Sequence, residues 1–97
     1  MKLVIYSTPE GTYHLINEVN YRAGIREAIP CPMDCESPGE VIEYFCANYG
    51  TRLKDFFVDF RGQLMSWQLV FEIAIETLGK DMLGAKELEI YNKYKEV

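Results

Sequence analysis

Phe56 to Gly79 reads FFVDFRGQLMSWQLVFEIAIETLG and holds the one tryptophan of the chain and its densest apolar run. Its first part alternates. Phe56, Val58 and Phe60 face one way, and Asp55, Phe57, Asp59 and Arg61 the other, which is the period of a half-buried strand. One polar face suits an antiparallel or edge position. After Gly62 two periods compete. As a strand, Trp67, Leu69, Phe71, Ile73 and Ile75 share a face. As a helix, Leu64, Trp67, Val70, Phe71, Ala74, Ile75 and Leu78 form one broad stripe. Length decides between them. A strand of a dozen residues would run roughly 40 Å at about 3.3 Å per residue, too long for a small domain, whereas a helix spans roughly 20 Å at about 1.5 Å per residue. Gly79, with Lys80 beyond it, stands where a helix C′ glycine belongs. A helix over 64–78 is therefore expected.

In that helix Gln68, Glu72 and Glu76 form a polar line beside the core stripe, and Met65, Leu69 and Ile73 lie beyond it. A helix buried on one side has no use for a second apolar patch. Either the helix is covered on two sides, or Met65, Leu69 and Ile73 meet another chain, which would make the protein a structural homo-oligomer.

Upstream, Ser37-Pro38-Gly39-Glu40 is the clearest local signal. Ser37 reads as an N-cap, Pro38 as the first helical residue, and Glu40 as the third, able to bond back to the Ser37 amide in a capping box. Val41, Ile42, Phe45, Cys46 and Tyr49 then share one face and Gly50 ends the helix. Lys2 to Ser7 is apolar on both faces, as in a central strand. Thr8-Pro9-Glu10 offers an N-cap, a first-turn proline and a first-turn acid, with Leu15, Ile16, Val19 and Ala23 on one stripe. A helix from Pro9 to about Tyr21 is expected, with a hairpin turning at Pro9-Glu10-Gly11 as its rival. Pro30 to Glu36 is a loop, since two prolines in three residues prevent regular pairing. Ala85 to Val97 reads as helix or strand.

The 97 residues suffice for one domain spanning residues 1–97, and an apolar fraction of 48% argues for a packed core. The fold class expected is α+β, a small mixed or antiparallel sheet with two to four helices packed on it. The longest uncharged stretch, Gly62 to Phe71, is far short of a bilayer span. MKLVIYST does not have the composition of a signal peptide. With three cysteines, an odd number suited to free thiols, the expected compartment is the cytoplasm of a cell or of a virus's host.

Net charge is −5. Its sharpest excess is Asp34, Glu36, Glu40 and Glu43, four acids with no base among them. Direct binding to nucleic acid is disfavoured, because such binding is driven by Lys and Arg neutralising phosphates. A basic patch on a protein partner is the complementary surface. Tyr44 falls beside these acids and off the apolar stripe, and tyrosine buries area at little entropic cost. Asp34, Glu36, Glu40, Glu43 and Tyr44 form the expected partner-binding patch.

Candidate chemistry is thin. Cys31, Cys35 and Cys46 with His14 have the residue types of a Cys₃His zinc site but not its paired spacing. Cys31 and Cys35 could form a thiol redox pair near the helix N-terminus at Ser37, though Asp34 and Glu36 would raise their pKa values. Carboxylates share a face at Asp55 and Asp59 and at Glu72 and Glu76. No nucleophile elbow or phosphate-binding glycine loop appears. The reading is a non-enzymatic binding protein without metal or cofactor, an inhibitor, regulator or accessory subunit. One special case is an acidic decoy for a nucleic-acid-binding site. The alternatives are a small thiol or redox protein using Cys31 and Cys35, and the homo-oligomer.

Overall fold

The computed structural model describes residues 2–29, 35–79 and 83–95. Nine elements follow one another among them: β1 (Leu3–Ser7), β2 (Tyr13–Asn17), α1 (Glu18–Arg22), α2 (Pro38–Tyr49), a 3-10 turn (Leu53–Asp55), β3 (Phe56–Phe60), β4 (Gln63–Ser66), α3 (Trp67–Leu78) and α4 (Ala85–Tyr94). The strands form one mixed sheet in the order β2-β1-β3-β4. The α+β expectation holds.

β1 is central, as its two apolar faces require. It pairs antiparallel with β2, Ile5 opposite Leu15 and Val4 opposite Ile16. It pairs parallel with β3, Leu3 opposite Phe56 and Val4 opposite Phe57. The pleat therefore puts Leu3, Ile5, Leu15 and Phe56 on one face. These residues join Val41, Ile42, Phe45 and Cys46 of α2, Leu53, Phe71 of α3 and Ile90 of α4 in the core. On the second face Val4 and Ile16 are also buried, beside His14, Phe57 and Asp59.

The helix expected over 9–21 does not form. Gly11 takes a φ of 84°, which only glycine adopts readily. Thr8 closes a hairpin instead of capping a helix. Its amide donates to the Thr12 carbonyl at 2.9 Å, its carbonyl accepts from Gly11 at 3.0 Å, and the two threonine hydroxyls meet at 2.7 Å. Leu15 and Ile16, read as neighbours on a helical stripe, are buried on opposite faces of β2. The chain turns helical only at Glu18, where Asn17 Oδ1 accepts from the Asn20 amide at 2.8 Å.

β3 forms over Phe56–Phe60, but burial falls away along it instead of alternating, from Phe56 without exposed surface to an exposed Phe60, and it is interior rather than an edge, with β4 antiparallel on its other side. The expected helix over 64–78 is divided. Residues 63–66 form β4, reached through a two-residue turn with φ of 53° at Arg61 and 86° at Gly62. Positive φ at both positions defines the type I′ hairpin turn. The helix then runs from Trp67, with Ser66 Oγ accepting from the Gln68 amide at 3.2 Å, to Gly79 as expected. α2 has its expected bounds, with Gly50 left-handed at φ 65° after Tyr49. Its cap differs in one bond. Ser37 Oγ accepts from Glu40 N at 3.3 Å, but the Glu40 carboxylate accepts from the Glu36 amide at 2.7 Å. The last segment is helical and buries Ile90. Among the described residues no helix is long and apolar enough to cross a membrane.

Phe56 has no exposed surface and stands where the sheet, the 3-10 turn and the helices meet. Phe56→Ala should cost about 3–5 kcal/mol, read as a lower midpoint in equilibrium urea unfolding.

Candidate functional site

Of the residues expected in the acidic patch, Glu40, Glu43 and Tyr44 lie on α2 and Glu36 just before it, while Asp34 lies outside the described residues. Glu36 and Glu43 are exposed and Glu40 is half-buried. A shallow cavity of about 230 Å³ opens beside them, lined by Glu40, Glu43, Tyr44, Ala47, Asn48 and Lys86. Lys86 reaches across from α4 to Glu43 at 3.9 Å. α4 packs closely here, since a Cβ on Gly39 would meet Ile90 Cδ1 at 3.3 Å. The two tyrosines of α2 are placed the other way round from the sequence expectation. Tyr44 is half-buried against the core and meets the Phe45 ring edge-on at 5.1 Å. Tyr49, which the apolar stripe would bury, is 65% exposed and stacks on Phe45 at 5.5 Å.

The second predicted contact is split. Met65 lies on β4 and is half-buried, while Leu69 and Ile73 are exposed one turn apart on α3.

The cysteine chemistry is constrained by the sheet. Cys31 lies outside the described residues. Cys35 is buried in the core, its carbonyl accepting from the Tyr13 amide at 2.8 Å. Cys46 is buried on α2, and burial pushes its thiol up to about 12. Thiols so placed pack rather than react. His14 projects from the opposite face of the sheet, its ring 5.9 Å from that of Tyr6. Among the described residues no group of three or more His, Cys, Asp or Glu could hold a metal ion. The carboxylate pairs also part company. Asp55 bonds Arg52 at 3.4 Å, Asp59 bonds Tyr21 at 2.5 Å, and Glu72 accepts from Gln68 at 3.2 Å.

A site with no sequence signal lies at the carboxyl ends of β1 and β3. Their parallel register ends at Val4 and Phe57. Beyond it β1 turns towards β2 and β3 towards β4, and a crevice of about 430 Å³ opens between them. In open parallel α/β sheets, ligands bind in crevices outside the carboxyl ends of the strands, and this one parallel pair leaves a crevice of the same kind. Ile5, Ser7, Tyr13, Pro38, Val58 and Trp67 line it, with Tyr6, Tyr21, Arg26 and Asp59 at its rim. Along β2, Tyr13 N and Leu15 O bond outward, to Cys35 and Ile29. Antiparallel alternation then turns the main-chain groups of Ser7 towards β3, where the ladder has already ended.

Hydrogen bonds and ring contacts connect the rim. Arg26 Nη1 donates to the Tyr21 carbonyl at 2.9 Å. Its guanidinium lies 4.2 Å from the Tyr21 ring centre and 5.7 Å from that of Tyr6, within cation–π range. Asp59 accepts from the Tyr21 hydroxyl through Oδ2 and from the Gly62 amide through Oδ1 at 2.8 Å. These donors hold the Asp59 carboxyl below its ordinary value, the Tyr21 hydroxyl first and the Gly62 amide second. The same bond, with burial and the Asp59 charge behind it, holds the Tyr21 phenol above its ordinary value. In the wall, Trp67 Nε1 is buried without an acceptor among the described residues.

Two outcomes follow from this geometry. Cys35 and Cys46 should stay silent towards Ellman's reagent in native protein at pH 8 and react on unfolding. Stability from the Tyr21–Asp59 bond is present above the carboxylate range and lost as pH falls through the lowered Asp59 pKa. At the alkaline end it is lost as pH rises through the raised Tyr21 pKa. Tyr21→Phe should move the Asp59 carboxyl upward in an NMR titration; an unmoved value would mean the bond does not persist in solution. Compared with known protein families, curated proteins and solved structures, the chain matches none.

Proposed function

We propose that the protein acts by docking on another protein, as an inhibitor, regulator or accessory subunit, and carries out no chemistry of its own. The observation that supports this reading is the outer face of α2. Glu40 and Glu43 line a shallow cavity there, with Tyr44 in its wall, Glu36 exposed just before the helix and Tyr49 exposed beyond. Lys86 is the one cation lining that cavity among the described residues, and Glu43 already holds it at 3.9 Å. The complementary surface is basic, and charge of this kind speeds encounter and selects partners more than it adds affinity. A nucleic-acid-binding groove on the partner is one such surface, which the acidic face would occupy as a decoy.

The acids do not play equal parts. Glu40 is spent on the Glu36 amide at the start of α2, so replacing it disturbs the helix as well as the charge. Glu36 and Glu43 are exposed and serve as the clean probes. Immobilised protein should capture one stoichiometric partner from a native lysate, released between about 50 and 200 mM salt as surface pairs are screened. The Glu36→Lys, Glu43→Lys double variant should fail to capture it at the lower salt. A partner held through high salt and indifferent to both changes would refute the acidic docking face.

A further inference from the structure

Arg26 and Asp59 face one crevice and form no direct ion pair, although the Arg26 and Arg22 charges are felt at Asp59. Tyr21 stands between them, with the guanidinium on its ring at 4.2 Å and the carboxylate on its hydroxyl at 2.5 Å. Among the described residues no carboxylate comes within ion-pair distance of Arg26. Both groups keep unused capacity. A guanidinium has five N–H donors, and only Nη1 of Arg26 is engaged, by the Tyr21 and Ile25 carbonyls at 2.9 and 3.4 Å. A carboxylate has about four lone-pair sites, and Asp59 uses two. The walls behind them are of another kind. Ile5 and Val58 are apolar, Tyr13 and Trp67 are aromatic, and the main chain of Ser7 is turned inward.

Each simple ligand class leaves one of these groups opposed. An anion seated on Arg26 brings its charge towards Asp59, and a cation seated on Asp59 brings its charge towards Arg26. A neutral apolar molecule desolvates both and bonds neither. A small zwitterion with an apolar body satisfies all three features. We infer that this crevice binds a free amino acid with a large apolar side chain, its carboxylate taken by Arg26, its ammonium by Asp59, and its side chain by Ile5, Val58 and the aromatic wall. The volume of about 430 Å³ lies within the range of small-molecule sites, about 300–1,000 Å³. The inference does not depend on the docking face of α2, which lies on a separate cavity.

Trp67, the one tryptophan of the chain, lies in the wall and reports occupancy. L-phenylalanine titrated into the full chain should give a saturable change in indole emission and a matching heat by calorimetry. 3-Phenylpropionate lacks the ammonium and phenethylamine lacks the carboxylate; each should bind at least about tenfold more weakly, the loss of one charge-assisted contact. Arg26→Gln and Asp59→Asn should weaken L-phenylalanine to a similar degree. Asp59 also anchors the Gly62 turn, so its variant is compared only if far-UV circular dichroism is unchanged. Otherwise Arg26→Gln, at an exposed side chain, decides alone. Either analogue binding as tightly as L-phenylalanine, or Arg26→Gln binding as wild type, would overturn the zwitterion assignment. No saturable heat or emission change with L-phenylalanine would overturn the site itself.

Discussion

Two rungs of parallel pairing, Leu3 with Phe56 and Val4 with Phe57, join the halves of this protein. Everything else in the sheet is local. β1 and β2 form one hairpin, β3 and β4 another, and an isolated hairpin is marginal in water. The two become one sheet because α2 crosses between them and lays Val41, Ile42, Phe45 and Cys46 over Leu3, Ile5, Leu15 and Phe56. The apolar layer holds the strands together where the ladder is short. Phe56 is central because it belongs both to the parallel rung and to the buried layer.

The same shortness makes the crevice. Each strand carries its hairpin away to a different side, so the pair must part at its carboxyl end. The polar and aromatic residues gathered there come from β1, β2, α1 and the segment after it, β3 and α3. No spacing in the sequence joins Ser7, Tyr21, Arg26, Asp59 and Trp67, so sequence reading had no means to find the site. The acidic face of α2 was legible because it lies on a single helix whose cap, proline and terminal glycine are written in consecutive residues. What could not be read there was the placement of its tyrosines, Tyr44 half-buried against the core and Tyr49 exposed.

The misread elements share one physical cause. Short apolar runs fit two periods, and a single dihedral then decides. Leu15-Ile16 suits a helical stripe as well as a strand buried on both faces, and Gly11 at φ 84° settles it in favour of the hairpin. Gln63–Ser66 is too short to show a period at all. Its turn also lacks the usual Asn-Gly or Asp-Gly signal, because Arg61 takes the left-handed position at φ 53°. Asp59 supports that turn from outside through the Gly62 amide. Longer elements with caps at both ends, α2 and α3 from Trp67 onward, were read from sequence with little loss.

Asp59 thus links backbone geometry to surface chemistry. One oxygen holds the type I′ turn that starts β4, and the other holds the Tyr21 hydroxyl across the second face of the sheet. Through Tyr21 it also sets where Arg26 can stand, since the guanidinium rests on that ring and on that of Tyr6. A direct Arg26–Asp59 pair at this exposed position would be worth little and would leave no charge available at the crevice. With a phenol between them, both charges are fixed in place and both keep bonding capacity towards the cavity. The rim of the crevice is therefore a consequence of how the second face of the sheet is braced.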